Sequence, residues 1–105
     1  MTRMASTALA LILSAPMAGA EIAGEAYRYS VEGTEFAGYV ARNTDLAGSR
    51  GTVLIVHDWD GLTEYERRRA EMLASMGYTA FAVDVYGADT DPQGIDDYRR
   101  LSGAL

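Results

Sequence analysis

Four consecutive apolar residues, Val53-Leu54-Ile55-Val56, run without a polar break into the turn His57-Asp58-Trp59-Asp60-Gly61-Leu62. Three of the four are β-branched, and no position offers a polar face. Such a run suits a strand buried on both sides, as strands of parallel sheets are. A helix signal follows at once. Thr63-x-x-Glu66 is a capping box, in which the Thr hydroxyl and the Glu carboxylate satisfy otherwise orphaned N–H groups of the first turn. A strand that stops at a glycine-containing turn and is followed directly by a helix belongs to an α/β fold. In open sheets of that class, ligands and chemistry collect outside the carboxyl ends of the strands. The turn from 57 to 62 is therefore where a site is expected.

The flanking segments extend the pattern. Tyr27, Tyr29 and Val31 alternate with Arg28 and Ser30, Glu32-Gly33-Thr34 reads as a turn, and Phe36 to Val40 follows as a second strand. Period-two alternation around a glycine-containing turn predicts a β-hairpin within 26–41. Residues 43–51 form a polar, glycine-rich loop. After the capping box, Tyr65, Met72, Leu73 and Met76 fall at helical spacing as one apolar stripe. Gly77 sits where a left-handed residue ends the helix. Tyr78 to Val85 is a second apolar strand, so strand, helix and strand make a right-handed βαβ unit. The last segment reads as a helix with Asp91 as N-cap and Pro92 as first helical residue, weakened by Gly94 and Gly103.

Composition narrows the function classes. The 105 residues contain no cysteine and one histidine, which excludes disulfides, a thiolate nucleophile, Cys-based zinc and a multi-His metal site within the chain. The N-terminus carries Arg3, an apolar run from 5 to 15, then Pro16 and Ala18-Gly19-Ala20. These are the parts of a secretory signal cleaved after Ala20, and the run is short of the roughly 20 residues that span a bilayer. The expected location is periplasmic or secreted, with no membrane attachment after cleavage. Net charge is −6, and without the segment carrying Arg3 it becomes −7, eight arginines against fifteen carboxylates. A balance this acidic argues against nucleic-acid partners, whose binding needs clustered positive charge. The one basic cluster, Arg67-Arg68-Arg69, is interleaved with Glu64, Glu66 and Glu71 and reads as a salt-bridged helix face.

Two local motifs suggest chemistry by themselves. Asp58-Trp59-Asp60-Gly61 after an apolar strand is similar to the first motif of haloacid-dehalogenase-type phosphatases. There the first Asp attacks phosphorus and the second acts as general acid around Mg²⁺. In that reading Asp58 is the nucleophile and Asp60 the acid. Against it, Leu62-Thr63 inverts the usual order after the motif. Asp84, near the end of the second strand, stands where a dinucleotide-binding unit keeps its ribose-binding acid. The first turn carries only Gly61 of the required G-x-G-x-x-G, so Asp84 reads instead as an acid capping the loop after its strand.

Taken together, the hairpin, the apolar strand, the His57-Asp58-Trp59-Asp60-Gly61-Leu62 turn and the arginine-rich helix precede Gly77-Tyr78-Thr79-Ala80-Phe81-Ala82-Val83-Asp84-Val85-Tyr86-Gly87. This order resembles the N-terminal part of the dienelactone hydrolase family, from about Tyr27 to about Leu105. The family shows an H/Q-E-x-x-G-L/V-N-like turn, an arginine-rich helix, and a G-Y-x-A-x-x-P-D-L-Y-G-like strand. Here Asp58 replaces the Glu and Val83 the Pro. The resemblance implies an α/β fold, the N-terminal part of an α/β-hydrolase built as a β-hairpin followed by a parallel βαβ unit and incomplete in itself. It implies hydrolysis of a small-molecule carboxylic ester or lactone, without cofactor or metal. Asp58 would contact the resting nucleophile, and the backbone N–H of Trp59 would be one of two oxyanion donors. The family's nucleophile, acid and histidine lie later in the chain, and no G-x-C-x-G or G-x-S-x-G elbow occurs in these residues. His57 is accordingly read as a turn residue bonded to loop backbone, not as the catalytic base. The Trp59 side chain is either a core aromatic or a wall of the substrate cleft. A third reading, from a different class, is a secreted non-catalytic binding domain using the pocket around Trp59. Oligomeric state is left open.

The expectation that separates these readings lies in the gene. The native frame should continue past Leu105 to a domain of about 200–250 residues, with G-x-C/S-x-G, then Asp, then His. Sequencing downstream of the Leu105 codon checks this, and an intact frame continuing without the elbow contradicts the hydrolase reading.

Overall fold

The computed structural model describes residues 21–105, and the expected signal segment with its cleavage point after Ala20 lies outside them. A hairpin opens the fold. β1 (Ile22–Val31) and β2 (Thr34–Asn43) pair antiparallel from Ile22↔Asn43 to Val31↔Thr34. Only Glu32 and Gly33 connect them, at φ 50° and 83°. Two successive positive φ values are the mark of a type I′ turn, whose twist matches that of the flanking strands. The hairpin is longer than alternation alone predicts, because Ile22 to Glu25 also find partners across the ladder.

β3 (Thr52–Val56), α1 (Glu64–Ser75) and β4 (Thr79–Val83) form the parallel unit. β3 and β4 are parallel neighbours with Val53 opposite Ala80 and Ile55 opposite Ala82, and β2 pairs antiparallel with β4 through Ala41↔Ala80. The sheet order is β1-β2-β4-β3. α2 (Ile95–Gly103) follows a loop. Among the described residues no helix is long and apolar enough to cross a membrane.

The core under α1 is made of alanines. Ala41, Ala70, Ala74 and Ala80 are fully buried and pack together, with Ile22, Tyr39, Ile55 and Leu73 against them. Small residues on both surfaces let the helix lie close to the sheet. The buried stripe of α1 is therefore Glu66, Ala70 and Ala74 with Leu73 beside it, while Tyr65, Met72 and Met76 are exposed. This corrects the stripe expected from the larger side chains: bulk, not hydrophobicity, decides which face can approach. The helix ends as expected. Gly77, at φ 97°, donates to the Ala74 carbonyl, and the Tyr78 N–H donates to Leu73. These two bonds make a Schellman motif.

The opposite sheet face carries Tyr27, Tyr29, Phe36 and Phe81. Phe81 makes edge-type contacts with Tyr27 and Tyr29 at centroid distances of 5.8 and 5.9 Å, and Tyr29 stacks on Phe36 at 5.4 Å. Gly38 is required beneath them, since a Cβ there would stand 2.7 Å from both the Phe81 ring and the Ala82 carbonyl oxygen. The same face of β3 is open. Leu54 and Val56 are 64% and 66% exposed, so the strand expected to be covered on both sides is covered only on the side of α1. Among the described residues β3 contacts β4 beside it and α1 on the other face, and no element packs over Leu54 and Val56.

α2 also begins later than the Asp91-Pro92 pair suggests. Its N-cap is Gly94 at φ 131°, and no side chain caps it. The Asp97 carboxylate, in the first turn, reaches back to the Gln93 N–H at 2.8 Å. The cap position thus lies three residues later than expected, with Asp97 rather than Asp91 accepting from the backbone ahead of the helix.

Candidate active site

The candidate site is the turn after β3 together with the loop after β4, side by side because the two strands are parallel neighbours. Each turn is held by specific bonds. The Asp58 carbonyl accepts the Gly61 N–H at 3.1 Å, closing the turn, and Gly61 has φ 83°. His57 is buried and bonds backbone on both sides of its ring: Nδ1 lies 2.7 Å from the Asp58 carbonyl oxygen, and Nε2 accepts the Val85 N–H at 3.2 Å. It is a turn residue bonded to loop backbone, as expected. The Tyr86 ring meets the imidazole at 4.7 Å, and its hydroxyl donates to the Trp59 carbonyl at 2.7 Å. Tyr86 was not singled out from the sequence. Its only signal was its place between the strand and Gly87.

Asp84 anchors the second turn. One carboxylate oxygen accepts the N–H groups of Tyr86 and Gly87 at 2.9 and 3.1 Å, and the other accepts that of Ala37 in β2 at 3.0 Å. Its own N–H donates to the Tyr29 hydroxyl at 3.0 Å, and that hydroxyl donates back to its carbonyl. The side chain is buried and both its oxygens accept hydrogen bonds, which offsets the cost of taking a carboxylate out of water. The loop-capping reading of Asp84 thus holds, with a further tie to the hairpin.

The capping box is also present. Oε2 of Glu66 accepts from the Thr63 N–H at 2.9 Å and from its hydroxyl at 2.8 Å. Burial pushes the Glu66 carboxyl up, but these hydrogen bonds to the charged form outweigh it, and the group titrates below the usual carboxylate range. The stabilisation it contributes is thus present above the ordinary Glu value and is lost as pH falls through the lowered one. Of the arginine cluster, Arg67 and Arg68 pair with Glu64 at 3.6 Å each. Arg69 instead lies 5.0 Å over the Tyr65 ring, and Glu71 accepts from the Tyr39 hydroxyl at 2.7 Å.

Between the two turns is a cleft of about 280 Å³, lined by Asp60, Gly61, Arg67, Asp84 and Tyr86 among others. Asp58, Asp60 and Glu66 each bring one carboxylate oxygen within 4.8 Å of the others, and one Asp60 oxygen is buried without a hydrogen-bond partner. The structure therefore gathers the two aspartates, with the capping carboxylate of α1 as their neighbour. Among the described residues the Trp59 side chain is 57% exposed, and it packs against Tyr98 of α2 at 5.1 Å. Among the described residues no acceptor takes the Trp59 backbone N–H.

A family model described as the dienelactone hydrolase family matches residues 36–105, two thirds of the chain and all of the site. The chain belongs to the dienelactone hydrolase family. The assignment goes against the phosphatase reading of Asp58 and Asp60. Solved structures agree on the fold. A protein named m3DLH is 26% identical, with a TM-score of 0.73 over 80% of this chain and 35% of that one. A dienelactone hydrolase-like promiscuous phosphotriesterase from metagenomic libraries is 24% identical, with a TM-score of 0.68 over 83% of this chain and 34% of that one. Brefeldin A esterase, a bacterial homologue of human hormone-sensitive lipase, is 21% identical, with a TM-score of 0.53 over 79% and 25%. The chain spans about a third of the length of the first two. A search of curated protein sequences gives no match. The fold is that of the N-terminal part of an α/β-hydrolase.

The hub at Asp84 generates the first mutational expectation. Asp84→Ala in the full-length protein removes the acceptor of three partly buried N–H groups, and bonds to charged groups are worth roughly 1.5–3 kcal/mol each. Urea denaturation should show a loss of about 3 kcal/mol or more, and a loss under about 1 kcal/mol would show that the loop is held by something else.

Proposed function

We propose that the turn after β3 supplies one oxyanion donor, the Trp59 backbone N–H, in an enzyme that hydrolyses small-molecule carboxylic esters or lactones. When a nucleophile attacks the substrate carbonyl, the carbonyl oxygen takes up negative charge. A preorganised N–H aimed at that oxygen, at a site shielded from water, contributes on the order of 3 kcal/mol to the transition state. The observation that carries the reading is the state of the Asp58–Trp59 peptide. Its carbonyl is held twice while its N–H has no acceptor among the described residues. Such an arrangement leaves a donor fixed in direction and available to a substrate. Asp58 is exposed beside it and can approach a nucleophile presented from elsewhere in the protein, though as an aspartate it reaches one methylene less far than a glutamate. No metal enters this reaction, and the protein acts in the periplasm or outside the cell.

Hydrolysis of p-nitrophenyl acetate by the full-length protein tests this. Trp59→Phe keeps the N–H and should retain activity. Trp59→Pro removes it and should cost about 100-fold or more in rate. Asp58→Asn should lower the rate without abolishing it, and EDTA should leave it unchanged. Undiminished turnover in a folded Trp59→Pro protein removes this turn from the active site, and abolition of activity by EDTA or Asp58→Asn favours the metal-dependent phosphatase chemistry.

A further inference from the structure

The peptide that carries the Trp59 N–H has its carbonyl on Asp58, and the side chain gripping that carbonyl is His57. A trans peptide is planar, with its C=O and N–H pointing in opposite directions, so an anchor on the oxygen sets the direction of the hydrogen. A carbonyl oxygen can only accept, so Nδ1 of His57, 2.7 Å from it, carries the ring hydrogen. Nε2 accepts from the Val85 N–H at 3.2 Å, so it carries none. The two backbone partners together select the neutral Nδ1–H tautomer. The ring is buried, with Tyr86 against it at 4.7 Å.

We propose that His57 is a positioning residue for the oxyanion hole, orienting and polarising the Asp58–Trp59 peptide from an anchor on the neighbouring strand's turn. This rests on the reading of the Trp59 N–H as an oxyanion donor. Three groups stand in series: the Val85 N–H donates to the imidazole, the imidazole donates to the Asp58 carbonyl, and the amide carrying that carbonyl donates through Trp59. Hydrogen bonds in series strengthen one another. Each donation draws electron density away from the final N–H and makes it a better partner for a developing oxyanion. The Gly61 N–H, on the same carbonyl at 3.1 Å, belongs to the turn itself and cannot refer the peptide to β4. Among the described residues the imidazole is the side chain that ties this carbonyl to the turn after β4, while the Tyr86 hydroxyl crosses between the same turns onto the Trp59 carbonyl; the in-register partners Val56 and Val83 bring the two turns side by side. The stabilisation acts on charge that develops in the transition state, so its loss appears in kcat rather than in KM.

The test uses the full-length protein with p-nitrophenyl acetate. His57→Ala should lower kcat roughly ten- to a hundredfold, somewhat less than loss of a donor itself, with KM nearly unchanged. His57→Gln, whose amide offers both an N–H and a carbonyl, should recover most of the lost kcat. Nitrogen–proton correlation NMR of the wild-type imidazole should show Nδ1 protonated and Nε2 bare, which can be read even if His57→Ala fails to fold. An Nε2–H tautomer overturns the proposal, as does wild-type kcat in folded His57→Ala while Trp59→Pro is crippled. If Trp59→Pro is itself fully active, the oxyanion reading falls first and takes this one with it.

Discussion

The buried carboxylate of Asp84 is the constraint on which the arrangement depends. It collects backbone N–H groups from β2 and from the turn after β4, while the Tyr29 hydroxyl of β1 brackets its main chain. An antiparallel hairpin and a parallel strand pair are thereby fastened at the end of the sheet where the site lies. The turn so fixed presents Val85 to His57 and Tyr86 to Trp59. A hydrophobic core of alanines holds helix to sheet but gives little directional information. The direction comes from hydrogen bonds made by a few polar side chains.

Much of this was legible in the sequence, and the exceptions share a cause. The hairpin, the parallel unit, the capping box and the Gly77 terminus were readable because they rest on local chemistry: alternation, a cap, a left-handed residue. The exposed positions of Tyr65, Met72 and Met76 were not readable, since hydrophobic periodicity does not say which of two faces the sheet can receive. Ala70 and Ala74 pack with Ala41 and Ala80, all four fully buried. α2 starts late, at Gly94, with Asp97 turned back to Gln93, an arrangement that an equally reasonable Asp91 cap hid in the sequence. Asp84 was legible as a loop cap but not as a tie to Ala37, which is distant in sequence and adjacent only once β2 and β4 pair.

The candidate site was readable as a place before it was readable as a mechanism. A strand end with a glycine turn marks where chemistry collects, and the order of motifs named the family that the comparison then matched over residues 36–105. Roles within the turn required geometry. His57, Asp58, Trp59 and Tyr86 form one hydrogen-bonded assembly, and the role we propose for its side chains is to aim a main-chain group. In such an assembly the identity of the residue presenting the N–H matters little, whereas the residues gripping its peptide matter a great deal. On the proposed reading, an exposed tryptophan can present the donor while its side chain contributes nothing chemical.

The account turns on where the Trp59 N–H points when the reaction's charge is present. A crystal structure of the full-length protein with a boronate or phosphonate bound as a tetrahedral adduct shows this directly. The account predicts an adduct oxygen about 2.7–3.1 Å from the Trp59 nitrogen, with His57 still bridging the Asp58 carbonyl and the Val85 N–H. An adduct oxygen held by other donors, with the Trp59 N–H directed away from it, would contradict the account.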